Sequence, residues 1–248
     1  MRALVVIICA RTIFTAPILL MNSVFSPSWW AAQSLVMLAV LGPLFPLRAT
    51  GLNDWQLQTN QDGIQVFMRA QPGSSFREVK VECEMPGTLE QFVALYSDVA
   101  NYRNVIRNTR TAYVLRSVSE TEFFYYMESQ LPALVANRDL VMRLQFAYTP
   151  ATHCLQIHTR SVDGMVPVRA GIVRVPSCTG EWQVWTLTAT RLKITYCFRV
   201  NPGGALPTWL VNRLAPVAPY QSFLQLRRSL ALPRYQGHHF AFLKPAST

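Results

Sequence analysis

The sequence predicts an α+β fold: one curved antiparallel sheet with its helices on a single face. Three observations predict it. An apolar stripe at helical spacing lies early in the body, period-two alternation then runs for roughly a hundred residues, and a second helical pattern closes the sheet.

The elements follow in order. Asp54-Trp55 opens the folded region, and two short alternating pieces flank Asp62-Gly63, a hairpin turn signal. The next strand, around Phe76, Val79 and Val81, stops at Pro86-Gly87. Thr88-Leu89-Glu90-Gln91 is a capping box, in which the Thr88 hydroxyl and the Gln91 side chain each satisfy the other's backbone amide. Behind it Leu89, Phe92, Val93, Tyr96 and Val99 form one stripe, predicting a helix of about three turns to near Ala100.

After that helix the period becomes two. Thr111–Val118 and Phe123–Glu128 read as a pair around Ser119-Glu120. Leu140, Met142, Leu144, Phe146 and Tyr148 alternate with their neighbours, as do Leu155 and Ile157, then Trp182 and Val184. Leu192 to Val200 is the cleanest strand. Asn201-Pro202-Gly203-Gly204 ends the sheet, and Pro207 suits the first position of a closing helix. Leu210, Leu214, Val217, Tyr220, Leu224 and Leu230 fall near one face, with Pro216 and Pro219 placed to kink or split it. Such a sheet carries more large apolar side chains than these helices can cover, so it must either fill its concavity or leave room for an apolar guest.

Composition narrows the class. Of 248 residues, 50% are hydrophobic and 15% charged, which excludes a disordered chain. The net charge of +10 is uneven: residues 1–137 hold ten basic and ten acidic residues, residues 138–248 thirteen and three. An anionic membrane surface fits that field, as do scattered solvated positions. With no basic run longer than Arg227-Arg228, nucleic acid is not an expected partner. Oligomeric state is open.

The domain boundaries read as a hydrophobic leader at 1–50, a body at 51–233 and a flexible C-terminal tail at 234–248. The leader holds two apolar stretches, 3–21 and 31–47, with Arg2 and Arg11 as positive flank. It reads as a signal peptide or as a membrane anchor of one or two short helices; Pro43 and Pro46 favour export. The expected location is therefore periplasmic or extracellular, or membrane-anchored. Cys83, Cys154, Cys178 and Cys197 allow a disulfide but fit buried free thiols better.

The common hydrolase, metalloprotease and nucleotide-binding motifs are absent from the sequence. His153 and His158, five apart on a strand, point to opposite faces, and His238-His239 lacks a third ligand nearby. No metal or cofactor is expected.

Four stretches carry a resemblance: Trp55 with Gly63-Ile64-Gln65-Val66; Leu131-Pro132 followed by Asn137-Arg138-Asp139-Leu140-Val141; Gly180-Glu181-Trp182; and Pro202 to Asn212, with its Gly-Gly-Ala-Leu-Pro-Thr-Trp core. Over residues 53–232 the chain resembles a bacterial StAR-related lipid-transfer (START) domain of the helix-grip superfamily. The resemblance implies a sheet of seven to nine strands gripping a long C-terminal helix, a single lipid or other hydrophobic small molecule in the tunnel between, a lid, and no covalent chemistry. It places Leu140, Met142 and Leu144 in the tunnel; alternation adds Tyr196 and Phe198, and the closing helix adds Trp209, Leu210 and Leu214. Arg138-Asp139 reads first as an ion pair or loop clamp, with Arg138 also a candidate ligand contact. Sterol-type members carry a cavity-facing Arg where this chain has Leu144; Arg143, one residue off, faces the other way, which argues against a sterol ligand. A helix-grip cyclase or hydrolase is the alternative, with Tyr196, His158 and Asp163 as its polar groups.

Overall fold

The structure, a computed structural model, describes residues 54–132 and 135–244. The leader expected at 1–50 lies outside the described residues. Among those described, no helix is long and apolar enough to cross a membrane.

Three strands come first: β1 (Gln56–Gln61), β2 (Ile64–Gln71) and β3 (Ser74–Pro86). Asp62 and Gly63, at φ 52° and 69°, close the first hairpin in the doubly left-handed turn that matches strand twist. Next is α1 (Leu89–Ser97), capped as expected: Thr88 Oγ1 accepts from the Gln91 amide at 3.3 Å and Gln91 Oε1 from the Thr88 amide at 2.9 Å. It stops at Ser97, short of Ala100, where a 3₁₀ turn (Val99–Asn101) leads into a one-turn helix, α2 (Tyr102–Val105).

The meander is β4 (Thr109–Ser119), β5 (Glu122–Ser129), β6 (Asn137–Thr149), β7 (Cys154–Ser161), β8 (Ile172–Arg174), β9 (Ser177–Thr188) and β10 (Arg191–Asn201). Sheet order is β1-β2-β3-β10-β9-β7-β6-β5-β4, with β8 parallel to the start of β6. The sheet thus has ten strands among the described residues, more than the seven to nine implied by resemblance. The antiparallel register aligns alternate residues of all the long strands on one inner face, where Ile64, Val66, Leu155, Val184, Leu192 and Ile194 are fully buried.

The closing helix is split. α3 (Thr208–Leu214) and α4 (Val217–Leu230) meet at Ala215-Pro216, because Pro216 can neither donate to nor pack into a continuing helix. Pro219 sits in the first turn of α4 and does not break it. The split also changes the phase of the buried stripe. Phe223, Leu226 and Leu230 face the sheet, whereas Leu214 and Val217 are exposed.

The expected flexible tail is corrected over its described part, Arg234 to Lys244. Tyr235 is buried, and its hydroxyl donates to Asp98 Oδ2 at 2.9 Å and accepts from Asn101 at 2.7 Å. Phe242 stacks on Phe146 at 5.8 Å, and Leu243 is buried. Tyr235, Phe240, Phe242 and Leu243 give this segment the apolar area that holds it down. Cys83, Cys154, Cys178 and Cys197 are all free.

On the outer face two carboxylates are buried under the segment between β7 and β8. Asp139 takes Arg174, and Glu128 takes Arg169 at 2.5 Å, Asn137 at 2.9 Å and Arg110 at 3.2 Å. Burial alone would raise the Glu128 pKa, but the Asn137 and Arg169 hydrogen bonds and the two guanidinium charges hold it below the usual carboxylate range. A lowered folded-state pKa gives stability that is complete above the unfolded value of about 4.3 and lost as pH falls through the folded one. Glu128→Gln should therefore melt below the parent chain at pH 7, with the gap closing toward pH 3 in thermal melts. A gap independent of pH would mean the charge contributes nothing.

Candidate functional site

Period-two alternation decides which side chains can meet a guest. On β6, Arg138, Leu140, Met142 and Leu144 point inward, and their cross-strand partners on β5 continue the same surface: Met127 beside Leu140, Tyr125 beside Met142, Phe123 beside Leu144. On β10, Tyr196 sits between Val81 and Trp182, and Phe198 between Val79 and Gly180. Five of the expected tunnel residues, Leu140, Met142, Leu144, Tyr196 and Phe198, thus share one face. Arg143 points outward to Glu122 at 2.8 Å, one residue and one face away from the fully buried Leu144.

Aromatic rings occupy the space between this face and α4. Trp182 stacks on Tyr196 at 3.9 Å and on Phe223 of α4 at 5.4 Å; Tyr196 stacks on Phe198 at 5.2 Å. Phe92 and Tyr96 of α1 close on Trp182 edge-on at 5.6 and 5.1 Å. The expectation of an open tunnel is corrected here: in this conformation the protein's own rings fill the centre of the concavity. The two pockets described lie elsewhere. One of about 660 Å³ opens beside the Asp62-Gly63 turn among Glu82, Glu84, Arg191, Lys193 and Arg227; a smaller one of about 110 Å³ lies around His158 and Glu181.

Gly180 makes the ring stack fit. A Cβ there would lie 2.6 Å from Thr159 Oγ1 and 3.2 Å from the Tyr196 hydroxyl oxygen, so no larger residue leaves room for the Tyr196 ring. Burial pushes the phenols of Tyr96, Tyr102, Tyr125 and Tyr196 well above their ordinary pKa. At neutral pH they can donate hydrogen bonds but not take protons. His158 is exposed on the outer face opposite Glu181, and Asp163 is exposed on the segment after β7. The groups weighed for an enzyme, Tyr196, His158 and Asp163, are therefore not assembled into one site.

Two residues expected in the tunnel from the closing helix lie on the surface here. Trp209 is 66% exposed and Leu214 55%, while Leu210 is half-buried. α3 is pinned elsewhere: Asn212 donates to the Ser75 carbonyl and accepts from the Arg77 amide, both at 3.1 Å, which holds it against β3 rather than in the concavity. The ring that α4 does insert, Phe223, lies one residue from the expected Leu224. Once Pro216 is taken as a helix start, the 223, 226, 230 spacing marks it.

Arg138 and Asp139 do not pair with each other, because adjacent strand residues point to opposite faces. Asp139 is bound by Arg174, 35 residues later, at 2.8 and 3.1 Å. Arg138 is a loop clamp: its guanidinium donates to the Ala136 carbonyl and, at 3.3 Å, to that of Gly203. No spacing in the sequence marks Arg174 as that partner.

The START domain family model matches residues 44–223. The chain belongs to the START domain family. An uncharacterised protein of Pseudomonas aeruginosa is 25% identical over 174 residues, covering 70% of this chain and 85% of that protein. The mouse phosphatidylcholine transfer protein is 22% identical over 169 residues, covering 64% and 75%. The solved STAR-related lipid transfer protein fragment of Xanthomonas axonopodis superposes with a TM-score of 0.67 at 26% identity, covering 72% of this chain and 99% of that one. Within this START domain the inner face, its rings and α4 stand between the two sides of the grip.

Proposed function

We propose that this START domain binds one lipid or other apolar molecule between its inner face and α4, and carries or senses it without chemical change. The observation that carries the reading is a continuous inner face of apolar and aromatic side chains covered by a helix that Pro216 cuts free from its neighbour. Relatives whose names record lipid transfer support it.

Energetics says why such a carrier is needed and what it must do. A CH₂ brought into water costs about 0.8 kcal/mol, so a 16-carbon chain costs on the order of 12 kcal/mol, too much for fast unaided exchange. Here the guest must displace rings, so loading requires α4 to lift Phe223 off Trp182. Lifting it breaks buried aromatic contacts, so the incoming guest must replace them for the lid to open. The exposed Trp209, Leu214 and Val217, beside Arg213, form the surface we assign to an anionic membrane, the basic C-terminal half supplying the attraction. An export signal or anchor at residues 1–50 would put the domain beside such a membrane.

The test is native mass spectrometry of the full chain with lipid extraction, followed by transfer of labelled lipid between vesicles. Stoichiometric lipid and transfer that Arg213→Glu with Arg228→Glu slows at low salt are expected. Absence of both copurified lipid and uptake from vesicles would overturn the reading, and turnover of the guest would replace it with the enzyme alternative.

A further inference from the structure

Among the described residues Arg138 is a buried cation without a counter-ion. It is 6% exposed, and its Nε is buried with no hydrogen-bond partner among the described residues. Buried charges are ordinarily paired. No ion pair joins Arg138 to a carboxylate among the described residues. Its nearest acidic neighbour in sequence, Asp139, is on the opposite face and already bound to Arg174.

Its place is specific. Arg138 lies on the inner face of β6 next to Leu140, at the end of the strand where two loops meet. One loop joins β5 to β6 and offers the Ala136 carbonyl; the other leads from β10 into α3 and offers the Gly203 carbonyl. Gly203 and Gly204, at φ 64° and 67°, let the second loop come this close: a Cβ on Gly204 would lie 3.3 Å from Arg138 Nη2. Two neutral carbonyls satisfy part of the guanidinium and none of its charge. The Nε–H and the neighbouring Nη2–H form the planar fork that takes two oxygens of a carboxylate or phosphate.

We infer that Arg138 receives the anionic headgroup of the bound lipid, a phosphate or carboxylate docking on its Nε and Nη2 edge. This rests on the lipid-binding reading above and deepens it to a ligand class: lipids whose headgroup carries a phosphate or carboxylate. Such an oxyanion takes over the Nη2 donor from the Gly203 carbonyl. Headgroup binding then loosens the loop that starts the closing helices, which couples ligand identity to the lid.

The experiment uses the full chain and vesicles of phosphatidylglycerol holding a minor fraction of diacylglycerol, which has no phosphate, matched in acyl chains, in the same bilayer, so that membrane docking is identical for both. Extracted lipid should be enriched in phosphatidylglycerol on the order of tenfold, the ratio a charge-assisted hydrogen bond supplies. Arg138→Gln should lose the enrichment while still taking up diacylglycerol, and Arg138→Lys, which keeps the charge without the fork, should fall between. Should the variants not fold, the parent chain's own preference decides: uptake of the two lipids in their bilayer ratio overturns the proposal and leaves lipid binding standing. Uptake of neither overturns the lipid-binding reading itself. Inorganic phosphate alone is the third arm: thermal stabilisation by it without phosphatidylglycerol enrichment would assign the site to a free anion and overturn the headgroup proposal.

Discussion

Asp139→Ala should lower the stability of the domain by about 3–5 kcal/mol, read by urea unfolding, with a fall in Tm on the order of 10 °C. Asp139 is 1% exposed, and both its oxygens are committed: Oδ1 to Arg174 Nε at 2.8 Å, Oδ2 to Arg174 Nη2 and to the Tyr126 hydroxyl at 3.1 Å each. Removing it strands a mostly buried guanidinium, which costs more than the pair itself contributes. Arg174 also holds the Val166 and Pro167 carbonyls, so the segment between β7 and β8 should loosen with it. Asp139→Ala with Arg174→Met removes both charges and should recover much of the loss. A single-variant effect under about 1 kcal/mol would show the pair to be dispensable.

Leu144→Arg should be at least as damaging, costing more than about 3 kcal/mol and leaving little folded protein at 37 °C. Leu144 is fully buried between Phe123 of β5 and Thr159 of β7, and no carboxylate faces it on either neighbouring strand. Leu144→Arg with Thr159→Asp, its direct cross-strand neighbour, should regain part of the stability. Circular dichroism melts check both; a Leu144→Arg chain with the parent Tm would mean that the inner face holds water or room enough to solvate a charge.

The two variants mark how far sequence reasoning reaches. The capping box at Thr88, the Asp62-Gly63 hairpin and the strand faces from Leu140 to Val200 rest on interactions between residues a few positions apart, so local pattern predicts them. The side of β6 that Leu144 and Arg143 take follows from the same period of two. The tail misled because its aromatics have no periodicity, and only a distant surface, Phe146 and Asp98, shows what they cover. Leu214 and Trp209 misled because a helix phase was carried across a proline that resets it.

The sequence alone determined the α+β class, the face each strand residue takes and the excess of apolar surface over what two helices can hide, since each is a sum over local choices. Tertiary structure decided the rest: that Trp182, Tyr196 and Phe223 stack into the space a guest must enter, that Asp139 belongs to Arg174, and that Arg138 is buried with two carbonyls and no carboxylate. Those are contacts between segments 35 to 65 residues apart or meetings of side chains from different elements, and their partners are chosen by packing, which no spacing along the chain encodes.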